Sequence, residues 1–260
     1  MRITKYFALT VAAGLMACEG GAGPQMSHVF VRLTDAPAGI TAAHAWISTV
    51  YLVGGDGTSR VTISTGPSTE YDLLALQGGV TALLGDNTIP AGDYEQLRLV
   101  VDSAFVLLDG ETDPRILKVP SGMQTGIKVE WNGPVHIQGG RTDLTVDFDV
   151  SRSFVITGPT PPRQVLFKPV LHGVVTDLSG SISGTSSPAN ALGRVFAIVG
   201  TDTVAATDAD PTTGAYTITF LPAATYTVLD SSTVSGHKAP TQSVVVAASQ
   251  NVTGVDFTIP

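Results

Sequence analysis

The sequence predicts an all-β protein in which a larger β-sandwich with one or two short helical turns is followed by a smaller β-sandwich. Apolar residues recur at every second position in several segments, which is the pattern of strands that bury one face. Turn-forming residues separate these segments, and the 260 residues include 28 glycines and 16 prolines. Many short strands punctuated by glycine and proline are typical of a sandwich or a barrel.

Strands of the larger sandwich are predicted from the alternation of apolar with other residues. Such alternation places one face of a strand against a core and the other toward solvent or a second layer. Turn signals separate the segments, among them Gly-Gly-Asp-Gly at residues 54–57. The apolar positions of the three clearest segments are Val29, Val31 and Leu33, then Leu97, Leu99 and Val101, and then Leu144, Val146, Phe148 and Val150.

A leucine-rich stretch at residues 71–84 departs from this alternation. Its spacing predicts one or two short helical turns that cap one end of the sandwich. The pair Gly78-Gly79 breaks the stretch in the middle. The leucines that suggest helix are Leu73, Leu74, Leu76, Leu83 and Leu84.

A second unit begins near residues 177–184, where large apolar side chains become sparse. We expect the larger sandwich over residues 28–177 and the smaller one over residues 181–260, a common size for a small domain. Six strands are predicted in the smaller unit, at residues 194–200, 203–208, 215–220, 225–230, 243–247 and 255–259.

The amino terminus has the features of a bacterial lipoprotein signal peptide. Arg2 and Lys5 precede an apolar run that is shorter than the roughly 20 residues of a membrane-spanning helix. The run ends in Leu-Met-Ala-Cys, which resembles the motif whose cysteine is lipidated and becomes the first mature residue. We therefore expect a signal peptide over residues 1–17, a lipid anchor on Cys18 and a flexible tether over residues 18–27.

Charge and cysteine content narrow the range of partners. The formal net charge of −8 argues against binding to nucleic acid, which requires a basic surface. The single cysteine excludes a disulfide framework and a cysteine-based zinc site. Glu19 follows the cysteine in place of the Asp that marks inner-membrane retention in some Gram-negative bacteria, so we expect the outer membrane of the cell envelope.

Several short motifs are spread over residues 28–175. The motifs are Val31-Arg32-Leu33-Thr34-Asp35-Ala36-Pro37, Tyr71-Asp72-Leu73-Leu74-Ala75-Leu76, Ile89-Pro90-Ala91-Gly92-Asp93-Tyr94, Leu97-Arg98-Leu99-Val100, Lys118-Val119-Pro120-Ser121-Gly122, Val146-Asp147-Phe148-Asp149 and Phe167-Lys168-Pro169-Val170. Together they resemble a bacterial family known as domain of unknown function 4382. The family is typically found on bacterial lipoproteins and has no assigned activity, so the resemblance implies neither a reaction nor a ligand.

Three further motifs lie in residues 181–260. The motifs are Thr213-Gly214-Ala215-Tyr216-Thr217-Ile218, Leu221-Pro222-Ala223-Ala224-Thr225-Tyr226-Thr227-Val228 and Val255-Asp256-Phe257-Thr258-Ile259. They resemble the carboxypeptidase regulatory-like domain, a transthyretin-like β-sandwich. Such domains usually act as spacers or stabilising appendages, so this resemblance implies no catalysis. Ala224 stands where the family usually has glycine, which makes that turn less permissive.

Asp147 and Asp149 are candidate metal ligands. They lie two residues apart in a predicted strand, so both side chains point to the face opposite Phe148. Asp35 and Asp102 end other predicted strands and can converge on the same acidic rim. Because Ca²⁺ takes several oxygen ligands, one interpretation is a calcium site. The simpler interpretation is an ion-pair network in which the carboxylates are neutralised by Arg32, Arg98, Arg152 or Lys168.

A polar loop and two tryptophans are candidate ligand-binding features. Ser121, Gln124 and Thr125 lie in a glycine-bounded loop between predicted strands and can hydrogen-bond a sugar or a peptide, although a tight structural turn is the simpler interpretation. Trp46 and Trp131 can form a stacking platform for a sugar if they are exposed, or contribute to the core if they are not.

Motifs for catalysis are missing from the sequence. No serine lies in a Gly-x-Ser-x-Gly elbow, and the five histidines show no metal-binding spacing. Asp208 and Asp210 precede Gly214 in a segment that only faintly matches a calcium loop, and aspartates are common in such turns for backbone reasons. The sequence therefore favours a non-enzymatic, lipid-anchored envelope protein that binds a polysaccharide or a protein or acts structurally. The alternative is a secreted hydrolase, or an accessory domain of one, that uses Asp147 and Asp149.

Overall fold

A computed structural model describes residues 24–36, 40–119, 125–131, 133–158 and 164–260. The predicted signal peptide, Cys18 and most of the tether lie outside the described residues, as do Ser121 and Gln124 of the candidate loop. None of the helices in the described part of the chain has the length and apolar character needed to cross a membrane.

The all-β prediction is confirmed, because most of the described residues lie in strands and only a few in short helical turns. One four-residue helix, α1, covers Val150–Ser153, and 3-10 turns cover Leu74–Leu76, Thr176–Leu178 and Ala189–Ala191. The strands are β1 (Met26–Ala36), β2 (Ile40–Gly54), β3 (Arg60–Asp72), β4 (Ala82–Pro90), β5 (Gly92–Leu108), β6 (Arg115–Lys118), β7 (Ile127–Lys128), β8 (Val135–Ile137), β9 (Gly140–Asp149), β10 (Phe154–Thr157), β11 (Gln164–Phe167), β12 (Leu171–Val175), β13 (Gly180–Ser187), β14 (Gly193–Val199), β15 (Asp202–Asp208), β16 (Ala215–Leu221), β17 (Ala224–Ser232), β18 (Gln242–Val246), β19 (Asn251–Val252) and β20 (Phe257–Thr258).

The larger domain is a sandwich of two sheets around one hydrophobic core. One sheet has the order β12-β9-β1-β4, and the other has the order β3-β2-β5-β6 with β7 and β8 also paired to β5. Strands β1 and β9 run parallel, while β4 and β12 flank them in antiparallel pairing. Leu33 of β1, Leu99 of β5 and Leu144 of β9 are fully buried between the sheets, because alternation points every second side chain inward.

The smaller domain is a second sandwich with a core of its own. Its sheets have the orders β16-β13-β19, with β20 also paired to β13, and β15-β14-β17-β18. Ile182, Tyr226 and Phe257 lie in this core, which shares no residue with the core of the larger domain. The chain passes from one domain to the other through the 3-10 turn at Thr176–Leu178.

The leucine-rich stretch forms less helix than its spacing predicted. Only Leu74–Leu76 is helical, and β4 already begins at Ala82. Gly78 and Gly79 both adopt positive φ, of 66° and 87°, and turn the chain so that β4 pairs with β1. Leu73 is nevertheless fully buried, so the short turn covers the core as expected.

Strand β9 is buried on both of its faces. Leu144, Val146 and Phe148 belong to the core of the larger domain. Thr145 and Asp147 point the other way and line a cavity whose far wall is formed by β15 and β16 of the smaller domain. The second domain therefore covers the outward-facing side chains near the end of β9, and the site described next lies at that junction.

Candidate functional site

A cleft lies between the two domains and is lined by residues of both. Gly173 of β12 and Pro222, which follows β16, line all three of its parts. The innermost part is a cavity of about 50 Å³, enough for only a few water molecules. Two wider grooves of about 530 and 230 Å³ adjoin it, and Trp131 lines both. We call the cavity and its two grooves the interdomain cleft.

Neighbouring strands bring polar side chains of the larger domain into one row at this cleft. In the β1–β9 register Thr34 lies beside Asp147, and in the β9–β12 register His172 lies on the other side of Asp147. All three residues line the innermost cavity. The Thr34 hydroxyl donates to the carbonyl oxygens of Leu76 and Val80 at 2.9 and 3.0 Å, so its donor is already used.

Asp35 reaches the same cavity from the end of β1. Its Oδ1 accepts a hydrogen bond from the backbone N–H of Val150 at 3.2 Å, and its Oδ2 accepts a long one from Gln77 at 3.4 Å. Burial and the neighbouring carboxylate of Asp147 raise the pKa of Asp35 well above its usual range, and these two hydrogen bonds only partly offset that rise.

Asp147 is the least satisfied carboxylate of the cleft. Its side chain is half-buried, but Oδ1 is sealed from solvent and has no hydrogen-bond partner among the described residues. Burial, followed by the charge of Asp149, raises the pKa of Asp147 well above its usual range. Burial thus disfavours the charged form of both carboxylates at the cavity, Asp35 and Asp147.

Asp149 has a structural role. Its Oδ1 accepts hydrogen bonds from the Ser151 hydroxyl at 2.7 Å and from the Arg152 backbone N–H at 2.9 Å. The second bond makes Asp149 the N-cap of α1, the short turn at Val150–Ser153. Although Asp147 and Asp149 lie two residues apart, only Asp147 lines the cavity.

The structure does not bring Asp102 to the predicted acidic rim. Asp102 lies within β5 of the other sheet, where it accepts a hydrogen bond from the hydroxyl of Ser68. Across the described residues, no group of three or more histidine, cysteine, aspartate or glutamate side chains is arranged to hold a metal ion. The four carboxylates proposed as calcium ligands therefore do not form one site in this structure.

The predicted ion-pair network is also not formed. Arg32 lies 3.9 Å from Asp143, Arg152 lies 3.8 Å from Asp202, and Arg98 donates to the carbonyl oxygen of Thr125 at 2.9 Å. In the described part of the chain no basic side chain, that of Lys168 included, forms an ion pair with Asp35, Asp147 or Asp149. The arginines satisfy other partners because strand register, which sequence spacing does not reveal, decides which side chains meet.

Trp131 is held in the cleft by an unusual packing contact. The backbone N–H of Glu130 donates to Leu171 at 2.7 Å, and that of Gly173 donates to Glu130 at 2.9 Å. The indole of Trp131 then lies so close to Gly173 that a Cβ added there would be 2.4 Å from Cε2. Half-buried in this way, Trp131 has an Nε1 donor without a partner among the described residues.

His172 brings a further polar group to the cleft. Its Nδ1 lies 3.7 Å from a carboxylate oxygen of Glu130, while its buried Nε2 has no partner within the described structure. Burial lowers the pKa of His172, so the ring is neutral at pH 7. The sequence carries no signal that marks His172 or Gly173 as site residues, because only the pairing of β12 with β9 places them at the cleft.

The other candidate binding residues have structural roles where they are described. The carbonyl oxygen of Thr125 accepts from Arg98 and from the hydroxyl of Tyr51, and its loop partners Ser121 and Gln124 lie outside the described residues. Trp46 is half-buried on β2, with its ring stacked 6.3 Å from that of His44. Neither residue lines the interdomain cleft.

Comparisons with known proteins identify a family. No curated protein matches this sequence. Two solved structures show distant similarity at 10% identity: the Bacillus anthracis TIE protein, with a TM-score of 0.23, and a leucine-rich repeat protein from Bacteroides thetaiotaomicron, with a TM-score of 0.19. The matches cover 89% and 91% of this chain but only 34% and 26% of those proteins. The family model described as Domain of unknown function (DUF4382) matches residues 26–169, more than half of the chain, and the protein therefore belongs to the DUF4382 family.

Proposed function

We propose that this protein is a non-enzymatic, lipid-anchored component of the bacterial cell envelope that binds an extracellular ligand, a polysaccharide or a protein, between its two domains. The observation that carries the proposal is the interdomain cleft. It is lined by both domains, and Trp131, Asp147 and His172 each bring to it a buried polar atom without a partner among the described residues. Clefts between domains are a common position for ligand sites.

The proposed anchor is a lipid on Cys18. The lipoprotein motif that ends at this residue and the short apolar run before it support lipidation after removal of residues 1–17. Two or three acyl chains hold a protein stably on a membrane. Glu19 supports placement in the outer membrane rather than the inner one. The glycine-rich residues that follow would let the folded domains stand away from the lipid.

We further propose that the smaller sandwich is a carboxypeptidase regulatory-like domain with a supporting role. Its motifs resemble that family, whose members act as spacers or stabilising appendages. In this protein Val204 of β15 and Pro222 line the cleft opposite His172. The smaller domain would thus supply one wall of the binding site.

Hydrolysis by the Asp147 and Asp149 pair finds less support in the geometry. The Oδ1 of Asp149 is engaged as a helix cap, and the cavity at Asp147 measures about 50 Å³. A space of that size holds a few water molecules but not the scissile bond of a polymer together with its flanking units.

Metabolic labelling tests the anchor. The full chain, expressed in a Gram-negative host with an alkyne-tagged fatty acid, is expected to take up the label and to fractionate with outer membranes. The Cys18→Ala variant should do neither. Equal labelling or equal membrane association of the two proteins would contradict the anchor.

Blocking the cleft tests the ligand site. The chain from Glu19 onward is tested by sedimentation with purified peptidoglycan, lipopolysaccharide and capsular polysaccharide, and by cross-linking to purified outer-membrane proteins. Ala248 lines the wider groove, whereas its exposed neighbour Ala247 does not. We expect Ala248→Trp to abolish binding and Ala247→Trp to preserve it. Absence of binding by the wild type, or equal binding by both variants, would contradict ligand binding in the cleft.

A further inference from the structure

Three unpartnered polar atoms belong to residues that line the same cleft. They are Nε1 of Trp131, Oδ1 of Asp147 and Nε2 of His172, each sealed from solvent and without a hydrogen-bond partner among the described residues. Buried polar atoms in folded proteins are bonded in the great majority of cases, because an unmade hydrogen bond costs about 1–3 kcal/mol. Such atoms at one cleft point to a partner that does not belong to the chain.

Strand pairing explains why these three groups lie together. His172 is directly opposite Asp147 in the antiparallel β9–β12 register. Trp131 reaches the same place because the backbone of Glu130 is hydrogen-bonded to Leu171 and Gly173 on β12. The absence of a side chain at Gly173 leaves the room that the indole occupies.

The charge of the cleft excludes anionic ligands from its inner part. Asp35 and Asp147 line the cavity, and Glu130 and Asp202 line the narrower groove beside it. No described arginine or lysine side chain lines either space. A phosphate, a sulfate or a uronic acid would therefore meet carboxylates and no arginine or lysine among the lining residues, which disfavours an anionic ligand there.

Together, the three groups require a partner that can both donate and accept hydrogen bonds. The Nε1–H of Trp131 can only donate, whereas an ionised Asp147 can only accept. A cation would satisfy the carboxylate but not the indole donor. A hydroxyl group satisfies both, and it can reverse its role if Asp147 is protonated.

Apolar groups complete the lining. Val204 and Pro222 face the cleft from the smaller domain, and Trp131 contributes an aromatic surface from the larger one. A ring that carries hydroxyl groups on its edge and C–H groups on its faces matches this combination of apolar walls and isolated polar atoms.

We infer that the interdomain cleft binds a neutral saccharide, whose ring lies in the wider grooves beside Trp131 and whose hydroxyl group reaches into the small cavity to hydrogen-bond Asp147 and His172. This inference rests on the proposed function and specifies its ligand class. It assigns recognition to residues of the domain junction and not to the loop that contains Ser121.

Nuclear magnetic resonance of the indole groups tests the inference. The chain has two tryptophans, so the Nε1–H of Trp131 gives one of two indole signals, assigned with the Trp46→Phe variant. The chain from Glu19 onward is titrated separately with neutral hexose, deoxyhexose and N-acetylhexosamine oligosaccharides, oligogalacturonate, Ca²⁺ alone and a tripeptide. We expect a neutral oligosaccharide to shift the Trp131 signal and to leave that of Trp46 in place.

Two variants separate recognition from a general effect of charge. Asp147→Asn is expected to weaken saccharide binding by about tenfold, the effect of losing one charge-assisted hydrogen bond. Asp102→Asn, which removes a carboxylate bonded to Ser68 on the other sheet, should bind as the wild type does. Equal affinity of both variants would overturn the assignment of Asp147 to the site.

The remaining outcomes distinguish this inference from the proposed function. A Trp131 shift with Ca²⁺, oligogalacturonate or the tripeptide, but with no neutral oligosaccharide, would overturn the ligand class and keep the cleft as a binding site. No Trp131 shift with any probe would overturn the saccharide inference. If the purified envelope components also fail to bind, ligand binding in the cleft fails with it.

Discussion

Carboxylates in the turns of this protein and carboxylates at its domain junction have opposite protonation preferences. Asp56 and Asp210 lie in exposed turns, one in each domain, and hydrogen bonds lower the pKa of both. Asp35 and Asp147 lie at the interdomain cleft, where burial raises the pKa of both. The same functional group is thus stabilised as an anion in one place and as an acid in the other.

The number of donors explains the difference. Oδ1 of Asp210 accepts from the backbone N–H groups of Thr212 and Thr213 and from the Thr213 hydroxyl, at 2.7 to 2.9 Å. Asp56 has an equivalent set from Thr58 and Ser59. A turn supplies its own donors, whereas the junction is closed by strands whose donors are already paired. Donors from neighbouring residues in a turn therefore stabilise a charged carboxylate, whereas burial by the tertiary structure without such donors destabilises it.

The largest effect is expected where a turn depends on glycine. Gly214 closes the Asp210 turn at a φ of 72°, and an added Cβ would lie 2.2 Å from the carbonyl oxygen of Ser186. Gly214→Ala should cost about 3 kcal/mol, because left-handed strain adds to a clash with backbone. Gly57→Ala, with a φ of 71° but nothing within 4 Å of the Cβ, should cost about 1 kcal/mol. Urea denaturation measures both values, and equal losses would show that the close approach to Ser186 is unimportant.

The second-largest effect on stability is expected when the charge of Asp147 in the cleft is removed. Asp147→Asn should stabilise the folded protein at pH 7 by about 1–2 kcal/mol, because it removes a charge that burial disfavours and that has no basic partner in the described structure. The expected result is a rise of a few degrees in the Tm measured by scanning calorimetry. A lower Tm would mean that the carboxylate has a stabilising partner.

The stability gained by neutralising the carboxylates of the cleft should depend on pH. Asp35 and Asp147 bind protons in the folded state at a higher pH than in the unfolded state, where the carboxyl pKa is 3.8. The penalty for burying their charge is complete above their folded-state pKa and is lost as the pH falls from there to below 3.8. The Tm of Asp35→Asn/Asp147→Asn should therefore exceed that of the wild type at pH 7 and converge with it on acidification.

The wild type is compared with the double variant because protonation of His172 changes stability with pH in the opposite direction to protonation of the two aspartates. Its lowered pKa means that the unfolded state takes up protons first, so its contribution falls as the pH drops below 6.5. A Tm difference between wild type and double variant that stays constant from pH 7 to pH 4 would contradict the raised pKa values.

The smallest effect is expected in the exposed turn. Asp56→Ala should lower the Tm at neutral pH slightly, because water can replace the hydrogen bonds that the carboxylate makes to Thr58 and Ser59. The sign of the pH dependence is reversed here. Stability from Asp56 is present above pH 3.8 and is lost as the pH falls below it, since its folded pKa is lowered. Calorimetry in which Asp56→Ala matched the wild type at pH 7 but not at pH 3 would contradict this sign.

Local patterns were sufficient to predict most of the strands. Residues 215–220 alternate apolar and polar side chains, and β16 covers Ala215–Leu221. The stretch at residues 71–84 was less well predicted, because its leucine spacing suits either a helix or an alternating strand. The structure uses it for both, with a 3-10 turn at Leu74–Leu76 and β4 from Ala82 onward.

The candidate site was predicted only in part. The motif that contains Asp147 and Asp149 predicted a site on the strand that does line the cleft. Trp131 was also predicted as a possible stacking surface for a sugar. The different roles of the two aspartates, Asp147 at the cavity and Asp149 as a helix cap, were not predictable, because they depend on how α1 packs against Asp149. Asp102 was included wrongly in the rim, since a strand-end aspartate gives no sign of which sheet it will join.

The sequence by itself determined the all-β class, the family and the turns, because alternation, motifs and turn residues act over a few neighbouring positions. Turn carboxylates such as Asp210 belong to this local chemistry. Only the tertiary structure decided that Asp147, His172 and Trp131 share a cleft with Pro222 of the second domain. That arrangement depends on the register of β9 with β12 and on the docking of two sandwiches, which join residues far apart in the chain. Burial and partner choice, and with them protonation and recognition, follow from those distant contacts.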